Sequence, residues 1–114
     1  VSKITTRQHA AVITVDKPLR EDEIAILQAQ LKSRSTGSNQ SVPHQIIVDL
    51  SETPLMDGRG LEWLLELDDA CASLGGCVRL CGAGELCGDI LRVTGVDERL
   101  QRYETLESAL ASFA

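Results

Sequence analysis

Apolar residues along the chain fall into short runs and helical repeats that alternate. Ala10 to Val15 reads AAVITV, an apolar, β-branched run that predicts a strand. Pro18 closes it, because proline has no N–H for a strand ladder. Over Glu21 to Arg34 the pattern changes: Ile24, Leu27 and Leu31 recur at spacings of three and four, which predicts a helix with one apolar stripe. Glu21, Asp22 and Glu23 occupy its first turn, where the helix dipole favours negative charge. The segment SRSTGSNQS, Ser33 to Ser41, reads as a polar loop that tolerates insertion.

Gln45 to Leu50, QIIVDL, is nearly continuous in apolar residues and suits a central strand covered on both faces. A short loop with Pro54 leads to Asp57, a residue type that caps helices. The helix predicted behind it runs to about Ser73, with Leu61, Leu64, Leu67, Cys71 and Leu74 as its buried stripe and Gly75-Gly76 as its stop. Cys77 to Cys81 reads as the next strand. Glu85 to Thr94 follows as a helix with Leu86, Ile90 and Val93 on one side, ended by Gly95. A short strand over Leu100 to Tyr103 comes next, and Thr105 caps a last helix carrying Leu106, Ala109, Leu110 and Phe113. Strands alternating with helices predict a mostly parallel α/β sheet built from crossovers.

At 114 residues the chain fits one domain. It contains no run approaching the ~20 apolar residues of a membrane span. Val1 to Ala11 lacks the apolar run of a secretory signal, so the expected compartment is the cytoplasm. The net charge of −6 argues against nucleic acid, which needs clustered Lys and Arg, and suits either plain solubility or a basic protein partner. With one Trp, one Tyr and one Phe, a base-stacking platform is not expected.

Cys71, Cys77, Cys81 and Cys87 contain no CxxC pair, so neither metal nor cofactor is called for, and reduced, core-filling thiols are expected. His9 and His44 have no ligand-like spacing and read as surface or strand-edge residues. Neither GxGxxG nor GxxxxGK[ST] is present, which leaves a nucleotide site without a motif.

Several weak motifs stand in a telling order. A strand ends in VDLS (Val48 to Ser51). MDGRGL (Met56 to Leu61) opens the next helix. DILRVTGVDERL (Asp89 to Leu100) and YETLESAL (Tyr103 to Leu110) follow. This series resembles the STAS family, the domain of anti-sigma-factor antagonists. The resemblance implies a STAS fold: a mostly parallel sheet of about four to five strands, with four helices packed mainly on one face. It also implies a non-catalytic function in the regulation of sigma factors. The partner would be an anti-sigma factor of serine-kinase type, which phosphorylates a hydroxyl at the helix start and thereby breaks the pair. Carried onto this chain, the partner-binding residues would be Ser51, Asp57, Gly58, Arg59, Gly60 and Leu61.

The chain departs from the pattern at the switch itself. Gly58 stands at the hydroxyl position and Arg59 after it, whereas Asp57, Gly60 and Leu61 are kept. Arg20 falls near a loop position that is often acidic in the family. Arg59 is poorly placed against a helix N-terminus, so it reads either as a solvated residue or as an anchor for an acidic group on a partner. Asp57 reads as a cap. Ser51 and Thr53 read as turn residues, or as the place to which a phosphosite has moved. Trp63 reads as core, or as a half-exposed part of a binding face. Glu62, Glu66, Asp68 and Asp69 are expected on a solvated face. Two rivals stay open: a structural STAS subunit of a signalling scaffold or lipid-transport assembly, and a thiol-dependent enzyme using Cys81 or Cys87.

Overall fold

A computed structural model describes residues 2–7, 10–35 and 45–113. Among them lie β1 (Lys3–Arg7), β2 (Ala10–Thr14), α1 (Glu21–Ser35), β3 (Gln45–Asp49), α2 (Gly58–Ala72), β4 (Cys77–Cys81), α3 (Glu85–Val93), α4 (Val96–Arg99), β5 (Gln101–Tyr103) and α5 (Leu106–Ala111). The five strands form one sheet in the order β1-β2-β3-β4-β5. β1 runs antiparallel to β2, and every other neighbouring pair is parallel.

That order explains where the helices go. Each parallel crossover steps the same way across the sheet, and crossovers share one hand, so α1, α2 and α3 land on the same face. Side chains alternate accordingly. Ala11, Ile13, Ile46, Val48, Val78 and Leu80 point into a core with Ile24 and Leu27 of α1, Trp63 and Leu64 of α2, and Cys87 and Leu91 of α3. Ala10, Val12, Ile47 and Cys81 face the other way, where α5 covers them with Ala109 and Leu110. The near-continuous apolar reading of β3 thus reflects cover on both faces.

Helix ends follow local chemistry. Asp57 caps α2 by accepting from the Gly60 N–H at 2.9 Å. Thr105 caps α5 by accepting from the Ser108 N–H at 3.1 Å. Gly75 takes a φ of 85° behind α2, a left-handed turn open to glycine at little cost.

Three expectations need correction. β1 was not foreseen: KITTR is polar and mostly exposed, and it is a strand because it completes the free edge of β2, from Lys3 opposite Thr14 to Arg7 opposite Ala10. The apolar side of α3 is only partly as expected, Ile90 alone of the three predicted residues packing partly against the main core. Leu86 and Val93 are exposed, whereas Cys87, Gly88 and Leu91 are buried. A Cβ at Gly88 would lie 2.6 Å from Nη1 of Arg102, the flexible end of that side chain. Leu74 also leaves its expected stripe and is exposed beyond the end of α2. Residues 36–41 of the predicted loop, with His9 and His44, lie outside the described residues.

Candidate functional site

Two loops at the carboxyl ends of β2 and β3 build the start of α2. Leu19 and Met56 form an isolated parallel bridge between them. The Leu19 N–H donates to the Leu55 carbonyl at 2.9 Å, and the Asp57 N–H donates to the Leu19 carbonyl at 3.3 Å. Thr53 ties the second loop to the sheet, its hydroxyl donating to the Val15 carbonyl at 2.7 Å. The Cys87 thiol reaches the Thr53 carbonyl at 3.4 Å, so α3 braces the same loop.

The six residues singled out in sequence divide on this frame. Ser51, Asp57 and Gly58 are exposed, and Arg59 is half-buried. Gly60 is buried, and its ideal Cβ would sit 2.4 Å from the Leu19 carbonyl oxygen. Leu61 packs against the main core. Gly60 and Leu61 therefore shape the site from beneath, and the other four form its surface. Ser51 stands in the turn after β3, its N–H donating to Asp49 Oδ1 at 3.0 Å, with Gly82 packed closely behind it. Gly58 has no heavy atom within 4 Å of its ideal Cβ. Its backbone is helical, so nothing local demands glycine.

Arg59 is not a bare cation. Its Nη1 lies 3.1 Å from both Glu62 and Glu66, and its Nε lies 3.4 Å from Glu21 of α1. The hydrogen bond to Glu66, more than the remaining charges, holds the guanidinium still more firmly protonated than usual. These carboxylates offset the unfavourable place of a cation in a first helical turn. They also outnumber it, so the exposed side of the cluster is acidic.

Of the acidic run on α2, Glu62, Glu66 and Asp69 lie on an exposed face as expected, and Asp68 is half-buried. Asp68 accepts from the Val78 N–H at 2.9 Å, and Asp69 pairs with Arg99 at 3.2 Å. Trp63 is core, at 2% exposure. Cys81 and Cys87, the two thiols of the enzyme alternative, are poor nucleophiles. Burial, then the adjacent Asp49, pushes the Cys81 thiol up to about 12, and burial raises Cys87 as well. A protonated thiol at neutral pH attacks slowly. No described helix is long and apolar enough to cross a membrane.

Sequence reasoning missed Leu19 and Glu21. Leu19 carries the carbonyl that receives Asp57 and crowds Gly60, a role invisible without the bridge. Glu21 was assigned to the dipole of α1, and only packing of α1 on α2 brings it to Arg59.

The family model of the STAS domain matches residues 2–109. No curated protein matches the chain. Among solved structures, an anti-sigma factor antagonist of Thermotoga maritima is 17% identical over 97% of this chain and 92% of its own, with a TM-score of 0.83. One from Mycobacterium paratuberculosis is 19% identical over 98% and 92%, with a TM-score of 0.81. The STAS domain of a SulP transporter from Vibrio cholerae is 24% identical over 95% and 83%, with a TM-score of 0.73. At such identities the likeness establishes the fold.

Proposed function

The chain belongs to the STAS domain family, and on that premise we propose that it is a non-catalytic protein-interaction module that acts in the cytoplasm in sigma-factor regulation. Its partner is an anti-sigma factor of serine-kinase type. The binding surface is the loop and helix start formed by Ser51, Asp57, Gly58 and Arg59, with Gly60 and Leu61 beneath. One observation carries the reading: Gly58 is an exposed position with open space and an ordinary helical backbone, in the place where the family motif puts a hydroxyl. The platform is retained and the group that would take the phosphate is gone. Binding is therefore constitutive, because no charge can be added at position 58 to break the contact.

The Arg59 cluster refines the partner. An arginine already paired with Glu21, Glu62 and Glu66 has little left for an acid on another protein. The exposed carboxylates favour a basic partner surface, which agrees with a net charge of −6.

The test is capture of an anti-sigma kinase by the purified domain, followed by ATP. Capture without phosphate transfer, and transfer to a Gly58→Ser variant, supports the reading. Phosphate on Ser51 of the wild type sinks the constitutive reading, since the switch has then moved. Thr53 is a poor acceptor, because its hydroxyl is buried in the bond to Val15. A second reading, a structural STAS subunit of a larger assembly, draws support from the likeness to a transporter STAS domain. Capture of membrane-transport or scaffold proteins in place of a kinase would favour it.

A further inference from the structure

The outer face of α3 is apolar where solvent should be. Leu86 is 53% exposed and Val93 76% exposed, with the half-buried Ile90 between them. Exposed leucine or valine is ordinary when single; a row on one short helix asks for a cover. The stripe uses none of the residues at the start of α2.

Charges beside the stripe say which cover fits. Glu85 and Arg92 are seven residues apart, so they share one flank of the helix, about 10 Å from each other along its axis. Leu86 and Val93 are also seven apart, on the outer face. Both pairs have their midpoint near Asp89. A two-fold axis through that point lays a second copy of α3 antiparallel on the first. Leu86 then meets the other copy's Val93, Ile90 lies near its counterpart, and Glu85 of each copy meets Arg92 of the other. A parallel arrangement would set Glu85 against Glu85 and Arg92 against Arg92. Asp89 lies near the axis and is met by Arg92 of its own helix at 3.2 Å, an exposed pair free to share its arginine.

We propose that the outer face of α3 is a self-association surface, on which a second copy of this chain packs antiparallel through Leu86, Ile90 and Val93, with Glu85 and Arg92 setting the orientation. The contact is isologous, the commonest form of homodimer. Its small area, one face of a nine-residue helix, falls short of the ~800 Å² per partner of stable complexes, so the dimer is weak, with a Kd on the order of 0.1–1 mM.

Sedimentation of the whole chain from about 10 μM to about 1 mM tests this, since that range brackets a weak contact. The wild type should shift from monomer to dimer. Val93→Asp, at an exposed site that leaves the core intact, should weaken the shift at least ~10-fold by placing a charge against Leu86 of the other copy. Glu85→Arg and Arg92→Glu should each lose self-association and regain it when mixed, because each chain then supplies the charge the other lacks. A merely misfolded variant would not recover on mixing. A wild type that stays monomeric throughout overturns the proposal. So does a dimer unmoved by Val93→Asp, or a mixture that fails to recover. Loss of capture of a different protein in Val93→Asp, with no self-association in the wild type, assigns the stripe to that protein and also overturns it.

Discussion

Gly58 and Gly60 stand two residues apart in the first turn of α2, and a side chain on each would meet opposite surroundings. At Gly58 an added Cβ enters open space. At Gly60 it would overlap the Leu19 carbonyl, 2.4 Å away, in the seam where two loops close on each other. The motif DGRG spells both with the same letter. One is a structural requirement, because a backbone carbonyl cannot step aside. The other is a free choice, because nothing in the packing calls for glycine there. The lesson is that a departure from a family pattern has functional weight only where packing would have allowed the original residue.

The contrast can be broken most directly at Gly60. Gly60→Ala should cost about 3 kcal/mol, the upper end of the overpacking range, read as a loss of urea stability. A cost as small as that of a surface change would mean that the seam opens easily.

Next comes the buried side of the molecule in alkali. The Cys71 and Cys81 thiols, pushed mainly by burial from an ordinary value of 9.0 to about 11 and about 12, stay protonated in the fold when the unfolded chain has already released those protons. The folded state then binds more protons, so stability falls as pH rises from about 9 towards 12 and is unaffected by these groups below that range. Urea midpoints at about pH 8 and about pH 10.5 should differ in that direction, and Cys81→Ala should reduce the slope.

Asp57→Ala removes the side-chain cap of α2 and should cost about 1 kcal/mol, which places it between the two glycines in effect. Gly58→Ala should instead stabilise by about 0.5 kcal/mol, because alanine has fewer unfolded conformations to lose and meets nothing in the fold. A destabilised Gly58→Ala would remove the difference on which the comparison rests. The smallest effect belongs to Arg59→Ala. Its ion pairs are solvent-facing, so the loss of stability should be slight and should vanish in thermal melts at high salt.

Much of the frame was readable without coordinates. β4 occupies Cys77–Cys81 as the run CVRLC predicts, and α2 starts behind Asp57 as its cap chemistry requires. Thr105 caps α5 for the same reason. Such features depend on residues close in sequence, whose spacing or hydrogen-bonding reach is written in the chain. At the candidate site, the capping role of Asp57 was legible in this way. The partners of Arg59 were not, because Glu21 arrives from another helix.

The sequence by itself determined where most strands and helices lie, their alternation, and the mostly parallel sheet that alternation demands. Periodicity does this because it is local. The tertiary structure decided which apolar residues of α3 go inside: Cys87 and Leu91 are buried and Ile90 packs partly against the core, while Leu86 and Val93, at equally helical spacing, are exposed. It decided that polar KITTR becomes a strand, because β2 had an edge to fill. It also decided that Gly60 is held and Gly58 is free. Each of these depends on what stands opposite a residue in space, and a single chain read in order does not contain that.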